Sequence, residues 1–495
     1  MFRSVSVQWQ FMELTKYIEA NPSHKQQITD ALLYAEVHLK NLKRLSDRTY
    51  FQHALAVAEN LAELNFDHVT VISGLLHDVL EDTQIKREDF LKKFGGEITT
   101  IVEGVTKIEK YTSVIAGSNE VHEDARRSEN IRKLIIASAK DIRVIFVKLA
   151  DRMDNLTDLK FLPAEKIKKI SRETIDIYAP IAHRLGIYKL KAHLEDFSFM
   201  NLNPQLFSEL SKKIALREIE QQNILDGIVE TLKKNIDPLN IQYRIKSRPK
   251  NIYSIFRKME KQNKPFEEIQ DILGMRIITA TVENCYSILG ILHTMSSPVP
   301  ETFTDYIANP KSNMYQSIHT TVIMPDGVTV EVQIRTEEMH KTASYGIAAH
   351  WKYKVVWANK KSHDKTHNFD EKISWLASVI EWQENNNSNE FLAGLKAELE
   401  FDQIFVFTPK GDIKSLAAGS TPVDFAYTVH TDIGNRCHGA KVNGKMVPLK
   451  YELHNGDIVE ILTSNVAHPS QDWLKFAKTP NARSKIKNYN KITKV

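Results

Sequence analysis

Residues 73–83 read SGLLHDVLEDT, and this stretch indicates the kind of domain in which it lies. Its apolar residues recur at helical spacing, while ionisable residues occupy its centre: His77, Asp78, Glu81 and Asp82. Residues three and four apart are neighbours on a helix, so three carboxylates and one imidazole would share about one and a half turns. Their crowding is unfavourable unless a cation binds there. The stretch therefore predicts a helical domain that holds a divalent cation.

The composition sets limits on the class of protein. A chain of 495 residues is too long for one hydrophobic core and predicts roughly two to four domains. The net charge of +4 permits an anionic ligand without requiring one. Two cysteines, Cys285 and Cys437, exclude a disulfide framework and a cysteine-rich zinc site. With neither a signal peptide nor a long apolar run, the sequence predicts a cytoplasmic protein that does not cross a membrane.

Changes in sequence pattern predict the domain organisation. Helical spacing dominates the first 200 residues, short β-branched runs mixed with helices follow from about residue 238, and a compact β-rich unit begins near residue 400. We therefore predict an all-α domain at residues 1–198, a helical connector at residues 199–237 and an α+β domain at residues 238–395. A small β-rich domain at residues 400–466 and a basic, frayed tail at residues 467–495 would follow.

Two further helical stretches contain residues that could bind the same cation. His53 lies in YFQHALAVAENL and Asp151 in VKLADRMDNLTDL. Together with His77 and Asp78 they form a set of two imidazoles and two carboxylates, which suits manganese, iron or zinc. Such an ion lowers the pKa of a bound water, and Glu81 and Asp82 could position or deprotonate that water. Taken singly, each of these residues is more often structural, and Glu81 alone is quite plausibly part of a solvated helix face.

A basic segment indicates a polyphosphate site. Residues 244–264 contain eight lysines and arginines, alternating along a predicted strand and continuing on a helix for which Asn251 is a plausible N-cap. Guanidinium groups bind phosphate bidentately and stack on base rings. A solvated basic face is an equally good reading of the charge alone. The sequence has no Walker-type phosphate loop, so it does not indicate P-loop chemistry.

A predicted hairpin supplies acidic residues near this basic segment. A turn at residues 325–327 joins SIHTTVIM to GVTVEVQIRT, in which Glu331, Gln333 and Arg335 face one side while three valines and an isoleucine face the other. Asp271 opens a further strand, DILGMRII. Two strand carboxylates beside basic groups suit magnesium-assisted transfer of a phosphoryl or pyrophosphoryl group. Either acid alone is more often a surface residue.

Residues 40–160 resemble the HD-type hydrolase domain of the RelA/SpoT family, the enzymes of the alarmone (p)ppGpp. The supporting sequence is at residues 53–64, 74–83, 103–110, 123–156 and 177–199. The resemblance implies that manganese binds an all-α domain and that other residues contact water or nucleotide. The implied manganese ligands are His53, His77, Asp78 and Asp151. Glu81 and Asp82 would assist the water, and Arg44 and Asn155 would contact the nucleotide. The family usually has other residues where Leu45, Ala54 and Asp154 stand, and we expect these changes to affect nucleotide binding rather than metal ligation.

Residues 244–259, 271–278, 305–322 and 330–354 resemble the (p)ppGpp synthetase domain of the same family, which is nucleotidyltransferase-like. The resemblance implies roles for the residues of this domain. Arg244 and Arg276 would sandwich the adenine of ATP, and its phosphates would be held by Lys246, Ser254 and Lys258. Asp271 and Glu331 would bind magnesium. Tyr315 would stack on guanine, with support from Lys311, Gln316 and His319. Glu331 would also accept the proton of the 3′-hydroxyl group of GDP or GTP.

Residues 402–464 resemble a TGS domain, a small β-grasp-like fold that follows the synthetase in long family members. The resemblance implies contact with uncharged tRNA on the ribosome, with His430 as the candidate residue. A packing module against the catalytic half is an equally weighted alternative. The family members that resemble this chain continue beyond the TGS domain, so the chain is expected to be either truncated or naturally short.

The favoured hypothesis is a bifunctional enzyme that transfers pyrophosphate from ATP to GDP or GTP and hydrolyses the product. Because opposed activities in one chain would be wasteful if both were active, we expect reciprocal coupling through residues 160–245. Neutral Thr302 and Thr304, together with Met314, depart from the family pattern and leave the choice of GDP or GTP open. They also motivate the alternative of a hydrolase with a weakened synthetase. A ribosome- or tRNA-binding regulator with vestigial catalysis is the third hypothesis.

Overall fold

The computed structural model describes residues 12–113, 120–247, 250–269, 274–311, 313, 315–324, 327–346, 379, 391–392, 394–396, 399 and 403–492. Of the positions discussed above, Asp271, Met314 and the first two residues of the predicted turn, Pro325 and Asp326, lie outside these residues. Contacts divide the chain into two compact units. The first comprises Met1–Val79 with Val147–Ser362, and the second comprises Leu80–Phe146 with His363–Val495.

The regular elements described between residues 12 and 236 are helices, as predicted from the spacing of apolar residues. In chain order they are α1 (Met12–Ala20), α2 (Lys25–Leu39), α3 (Tyr50–Glu63), α4 (His68–Leu76), α5 (Val79–Asp82), α6 (Arg87–Ser113), α7 (Glu120–Lys140), α8 (Arg143–Thr157), α9 (Ala164–Glu173), α10 (Ala179–Arg184), α11 (Tyr188–Leu202) and α12 (Pro204–Ile236). A five-residue π-helix, Thr174–Tyr178, joins α9 to α10.

The stretch SGLLHDVLEDT does not form the single helix that its apolar spacing predicts. Helix α4 ends at Leu76 and α5 begins at Val79, so His77 and Asp78 occupy the break between them. The ring of His77 makes a 2.8 Å hydrogen bond to the carbonyl oxygen of Gly74 on the preceding turn. The one-turn spacing between His77 and Glu81, expected from a continuous helix, therefore does not apply.

The α+β region contains a mixed six-stranded sheet with helices, again as predicted. Its elements are β1 (Tyr243–Ser247), α13 (Ile252–Gln262), β2 (Gly274–Thr279), α14 (Val282–Met295), β3 (Ser297–Pro298), β4 (Thr304–Asp305), β5 (Ile318–Ile323), β6 (Thr329–Thr336) and α15 (Glu337–Tyr345). The strand order is β1-β2-β6-β5-β3, with β4 paired to β5. Strands β5 and β6 pair antiparallel from Ile318 opposite Ile334 onward, which confirms the predicted hairpin.

The long helix α12 contributes to two hydrophobic clusters in the first unit. Near its start, Leu210 and Ile214 pack with Phe199 of α11 and Tyr253 of α13. Near its end, α12 covers the apolar face of the sheet, where its side chains join those of β2, α14, β5 and β6. Burial of these apolar faces holds the sheet and α13 against the helical half of the same unit.

The carboxyl-terminal region is a small β-rich domain. It contains β7 (Gln403–Phe407), β8 (Ile413–Ala417), α16 (Pro422–Val429), α17 (Thr431–Asn435), β9 (Cys437–Val442), β10 (Lys445–Val447), β11 (Val459–Thr463) and α18 (Pro480–Ile492). Strands β10, β9 and β11 form one sheet, and β7 pairs with β8. This arrangement agrees with the predicted β-grasp-like domain.

The basic tail differs from the frayed segment expected from its charge. Trp473, Ala482 and Ile486 are buried against α16, and the fully buried carboxylate of Asp424 accepts hydrogen bonds from the backbone of Thr479 and the residue before it. Ala482 and Ile486 are four residues apart and share one face of α18, while Trp473 lies in the preceding 3₁₀ helix, Gln471–Lys475. Within the described residues, no helix is long and apolar enough to span a membrane.

Candidate metal centre and nucleotide site

Helix caps place the predicted metal ligands of the first unit. Thr49 and Gln52 form a capping box at the start of α3, which fixes His53 in the first turn. Asp67 caps α4 by accepting a hydrogen bond from the backbone of Thr70, and α4 ends directly before His77. Asp151 lies on α8.

The four predicted ligands meet in one buried cluster. The Nε2 atoms of His53 and His77 are 3.2 Å apart, and Asp151 Oδ1 lies 3.3 Å from His53 Nε2. Asp78 approaches with one oxygen 3.0 Å from His77 Nε2 and the other 3.6 Å from His53 Nε2. At most 6% of any of these four residues is exposed.

Hydrogen bonds orient both imidazoles so that their Nε2 atoms face this cluster. His53 uses Nδ1 to bond a carboxylate oxygen of Asp154 at 2.7 Å, and His77 uses Nδ1 to bond the carbonyl oxygen of Gly74. Because both partners are acceptors, Nδ1 of each neutral ring carries the proton and Nε2 keeps its lone pair for a metal ion. The ligand atoms of His53, His77 and Asp151 lie close enough together to hold a divalent metal ion, and the carboxylate of Asp78 lies beside both imidazoles.

Further contacts hold the carboxylate of Asp151. Its Oδ2 atom accepts a hydrogen bond from Lys148 Nζ at 2.7 Å, and its Oδ1 atom accepts one from Asn155 at 2.6 Å. Asn155 in turn accepts a hydrogen bond from Arg44. Of the two residues predicted to contact nucleotide, Asn155 therefore bonds a predicted metal ligand directly, and Arg44 is connected to that ligand through Asn155.

Electrostatic interactions in the cluster shift two pKa values. Burial alone would lower the pKa of His53, but hydrogen bonds to Asp151 and Asp154 and the charge of Asp78 outweigh it and raise this pKa to about 9. Burial would raise the pKa of Asp151, yet Lys148 and His53 hold it well below its ordinary value. A cation that binds Nε2 of His53 would take the place of the proton that the raised pKa keeps on this nitrogen.

A row of polar side chains crosses the sheet of the α+β region. In the strand registers Lys246 pairs with Arg276, Arg276 with Gln333, and Gln333 with His319. Partners in register point to the same face of a sheet. Thr304 of β4 extends the row, because it pairs with His319.

Glu331 lies beside this row and is held by three of its neighbours. Lys250 Nζ is 2.9 Å from one carboxylate oxygen, and Gln333 donates a hydrogen bond of 3.1 Å to the other. His319 Nδ1 lies 3.7 Å from that second oxygen. The carboxylate is half-buried, so it combines access for a ligand with fixed partners.

Positive charges converge on the same face. Burial, followed by the charges of Arg335, Arg276, Arg244 and Lys246, lowers the pKa of His340 to about 3. The neutral ring then accepts a hydrogen bond of 3.0 Å from the buried guanidinium of Arg335. Four cationic side chains around one imidazole favour an anionic ligand such as a polyphosphate.

Three family models match the chain in the order of these structural regions. They are described as HD domain for residues 31–188, as a region found in RelA / SpoT proteins for residues 247–356, and as TGS domain for residues 404–463. A GTP pyrophosphokinase from Myxococcus xanthus is 47% identical over 94% of this chain and 60% of its own length. The chain belongs to the RelA/SpoT family.

Other relatives of this RelA/SpoT homologue have names that refer to either or both activities. A guanosine-3′,5′-bis(diphosphate) 3′-pyrophosphohydrolase from Aquifex aeolicus is 44% identical over 97% of this chain and 66% of its own length. A bifunctional (p)ppGpp synthase/hydrolase RelA from Mycobacterium tuberculosis is 42% identical over 91% and 60%. The chain spans less than two thirds of the length of these relatives.

Asp154 of the RelA/SpoT homologue corrects an expectation from the sequence. We expected this departure from the family pattern to affect nucleotide binding, yet its carboxylate bonds the metal-facing His53 and is held by Arg48 at 3.1 Å. Sequence reasoning missed this contact because 101 residues separate the two partners. The three-residue spacing from Asp151, which puts both carboxylates on one side of α8, was the available signal.

Replacing Asp154 with Ala is expected to weaken manganese binding by about 10- to 100-fold, because His53 loses the acceptor that sets its tautomer and orientation. Calorimetric titration of the apoprotein with manganese would measure this loss. Asp158→Ala is the matched control, since Asp158 contacts Arg48 but not His53. Equal manganese affinities in the two variants would contradict the role assigned to Asp154.

Tyr315, the residue predicted to stack on guanine, is buried in this structure. Its hydroxyl group bonds His319 Nε2 at 2.7 Å and lies 3.4 Å from the amide oxygen of Gln333. The rings of Tyr188 and Tyr306 meet it at steep angles. Gln333 thus joins Tyr315, Arg276 and Glu331. Alternation along β6 placed Gln333 on the polar face, but the sequence alone assigned it no role.

The remaining predicted residues occupy more open positions. Ser254 and Lys258 lie half-buried on α13, Lys311 is exposed, and Gln316 donates a hydrogen bond to a backbone carbonyl oxygen. On α5, Glu81 is half-buried and Asp82 exposed, so their roles on water stay predictions. His430 is exposed at the start of α17.

Proposed function

We propose that this chain is a bifunctional alarmone enzyme. One site transfers pyrophosphate from ATP to the 3′-hydroxyl group of GDP or GTP and releases AMP, and the other uses water to remove the 3′-pyrophosphate from (p)ppGpp. The observation that carries the proposal is the presence, in one chain, of a buried His–Asp cluster and of a separate cationic face with a fixed carboxylate. The names of the relatives support both halves of the proposal.

For hydrolysis, we assign the divalent metal to His53, His77, Asp78 and Asp151, and manganese as its identity. When bound, the ion supplies Lewis acidity for attack of water on phosphorus. Arg44 and Asn155 would bind the nucleotide next to this cluster, since they bond each other and Asn155 also bonds Asp151. Glu81 and Asp82 would orient the water or accept its proton.

For synthesis, we assign ATP to the cationic face. Arg244 and Arg276 would hold the adenine, while Lys246, Ser254 and Lys258 would bind the phosphates. Glu331 would accept the proton of the acceptor hydroxyl, and with Asp271 it would hold magnesium, which neutralises phosphate charge. Tyr315 would stack on the guanine, flanked by Lys311, Gln316 and His319. Lys250, now 2.9 Å from Glu331, would have to share this carboxylate with magnesium.

Two assays of the wild-type chain test the proposal. The first supplies labelled ATP with GDP or GTP and magnesium, and the second supplies ppGpp with manganese. We expect a labelled guanosine polyphosphate in the first assay, and GDP and pyrophosphate in the second. The absence of both products would refute the proposed function, and one product alone would leave only that half standing.

A second candidate is a hydrolase with a weakened synthetase. Thr304 occupies the end of the polar row opposite His319 and brings no charge to it. Thr302 donates a hydrogen bond to Val299 and accepts one from the backbone of Thr321, which is a structural role. Synthesis slower than hydrolysis by the same preparation would favour this candidate.

We further propose that the two sites are coupled through helices α10 and α11. Asn313, two residues before Tyr315, donates hydrogen bonds to the Tyr188 hydroxyl group at 2.5 Å and to the His183 carbonyl oxygen at 3.3 Å. Gly186 has a φ of +75°, and a side chain there would begin 2.9 Å from the carbonyl oxygen of Asn313. These contacts support a link between the helical half and the acceptor tyrosine.

The same helices are connected to the metal cluster. Arg152 follows the predicted ligand Asp151 and lies 4.2 Å from the ring centre of Tyr178, the last residue of the π-helix that leads into α10. It also pairs with Glu173 at 2.9 Å. Packed contacts can carry coupling only if the elements have two arrangements, so the proposal needs a functional test.

Replacing Tyr188 with Ala is expected to uncouple the sites. In the wild type, saturating GDP with a non-hydrolysable ATP analogue should suppress ppGpp hydrolysis by about 5- to 150-fold, the usual range for allosteric coupling. In the variant, which lacks the ring that contacts Tyr315, this suppression should largely disappear. Lys189→Ala, which removes an adjacent surface pair with Glu63, is the control. Full suppression in the Tyr188 variant would contradict this route.

We propose contact with the ribosome and uncharged tRNA as the role of the TGS domain, with exposed His430 as the residue to test. Its exposure, with 65% of the side chain accessible, leaves its ring available to a partner. The cytoplasmic location predicted from the sequence remains a prediction.

A further inference from the structure

The start of α13 is capped in an unusual way. The first backbone N–H groups of a helix lack partners within the helix, and the side chain of the N-cap residue usually accepts from them. Here the N-cap residue is Asn251, in the extended conformation that suits a cap, yet its side chain makes no capping hydrogen bond. The cap must therefore come from elsewhere.

A carboxylate on α11 supplies this cap. Asp196 Oδ1 accepts a hydrogen bond of 2.9 Å from the backbone of Tyr253, and the backbone of Ile252 also donates to this carboxylate. The side-chain amide of Asn251 donates to Glu195 at 3.1 Å and to Asp196 Oδ1 at 3.5 Å. Lys191 fixes Glu195 from the preceding turn of α11 at 2.9 Å.

Apolar contacts join the same two helices beside this cap. Phe199, one turn after Asp196, stacks on Phe256 with ring centres 4.5 Å apart and planes inclined by 21°. Tyr253 packs against the same ring of Phe199 at 5.7 Å. A carboxylate and an aromatic ring on one face of α11 thus set both the position and the rotation of the first two turns of α13.

Those two turns carry two of the residues assigned to the ATP phosphates, Ser254 and Lys258, and α13 follows the strand that carries Lys246. We propose that Asp196 is a positioning residue for ATP in the synthetase site, acting through α13 and supported by Glu195 and Asn251. This inference rests on the proposed function, because it assigns a residue of the helical half to the synthetic reaction. The carboxylate of Asp196 would not contact ATP. The site requires only its oxygen atom, which accepts hydrogen bonds from the start of α13.

The test uses the full chain and two substitutions at this position. Asp196→Ala removes the cap, and the Kd for a non-hydrolysable ATP analogue and the KM for ATP should both rise about fivefold or more, the equilibrium factor for loss of a helix cap. Asp196→Asn keeps an acceptor oxygen and should restore most of the ATP affinity. The KM for GDP and the hydrolysis of ppGpp should stay unchanged in both variants.

A cap on a different helix provides the matched control. Thr281 caps α14 in the same region by accepting from the backbone of Asn284, so Thr281→Ala should lower stability without changing the KM for ATP. If Asp196→Ala is too unstable to purify, Asn251→Ala should shift the KM for ATP in the same direction. An unchanged KM for ATP in these variants, or equal losses in both activities, would overturn the inference. Failure of the wild type to bind the analogue would instead refute the proposed function.

Discussion

Replacing Glu331 with Gln is expected to abolish synthesis while leaving hydrolysis of ppGpp intact. The amide cannot accept the proton of the acceptor hydroxyl group and is a poor ligand for magnesium. Loss of a general base alone lowers a rate by about 10²- to 10⁴-fold. The substitution is nearly isosteric, so the contacts of the side chain with Lys250 and Gln333 can persist in altered form.

The measurement compares initial rates of polyphosphate formation from labelled ATP and GDP with rates of ppGpp breakdown by the same preparation. Glu338→Gln serves as the control, because Glu338 is exposed on the helix that follows β6. Synthesis at more than a tenth of the wild-type rate in the Glu331 variant would refute the role of this carboxylate as the base.

Replacing Asp78 with Asn should have the opposite effect: hydrolysis of ppGpp should be lost and synthesis should persist. The variant loses the charge of a predicted ligand, a carboxylate that lies within 3.6 Å of both imidazoles. We expect manganese affinity to fall by at least about 100-fold, since loss of a mere supporting partner already costs 10- to 100-fold. Hydrolysis should be lost with it, while synthesis persists because the sheet and its cationic face are untouched.

Manganese binding can be followed calorimetrically and by electron paramagnetic resonance, independently of activity. Asp47→Asn is the control, because Asp47 is a surface residue whose side chain is 91% exposed. Titration with zinc, iron and magnesium in place of manganese would decide the identity of the metal. Wild-type manganese affinity in the Asp78 variant would exclude Asp78 as a ligand.

The metal centre shows how far a sequence pattern leads. Two histidines and two aspartates on helices predicted the donor set, and the structure brings these four side chains together. The break at His77 and Asp78 was not predicted, because apolar spacing continues across it and a local hydrogen bond to Gly74 carries no sequence signal. Asp154 was seen as a departure from the family pattern, but its partner could not be read from the sequence.

The sheet gives a similar result. Alternation along β6 predicted which residues share a face with Glu331, and the hairpin pairing is confirmed. Alternation says nothing about which strands are neighbours, so the sequence did not predict that Gln333 would link Arg276 to Tyr315. The sequence did not predict the folded tail for a related reason. The interpretation rested on the basic charge of the tail and not on its three buried apolar residues, which pack near the hydrogen bonds from the tail to Asp424.

By itself the amino-acid sequence determined the kinds of domain, the chemical groups that could bind a metal or phosphate, and the faces on which they lie. These features depend on the periodicity of side chains along a helix or a strand, which can be read from residues close together in the sequence. Only the tertiary structure decided which nitrogen of each histidine faces the cluster, which side chains hold the carboxylate of Glu331, and that Asp196 caps α13. The contacts of His53 with Asp154 and of Asp196 with Tyr253 join residues 101 and 57 positions apart, so burial and hydrogen-bond geometry, rather than spacing, select these partners.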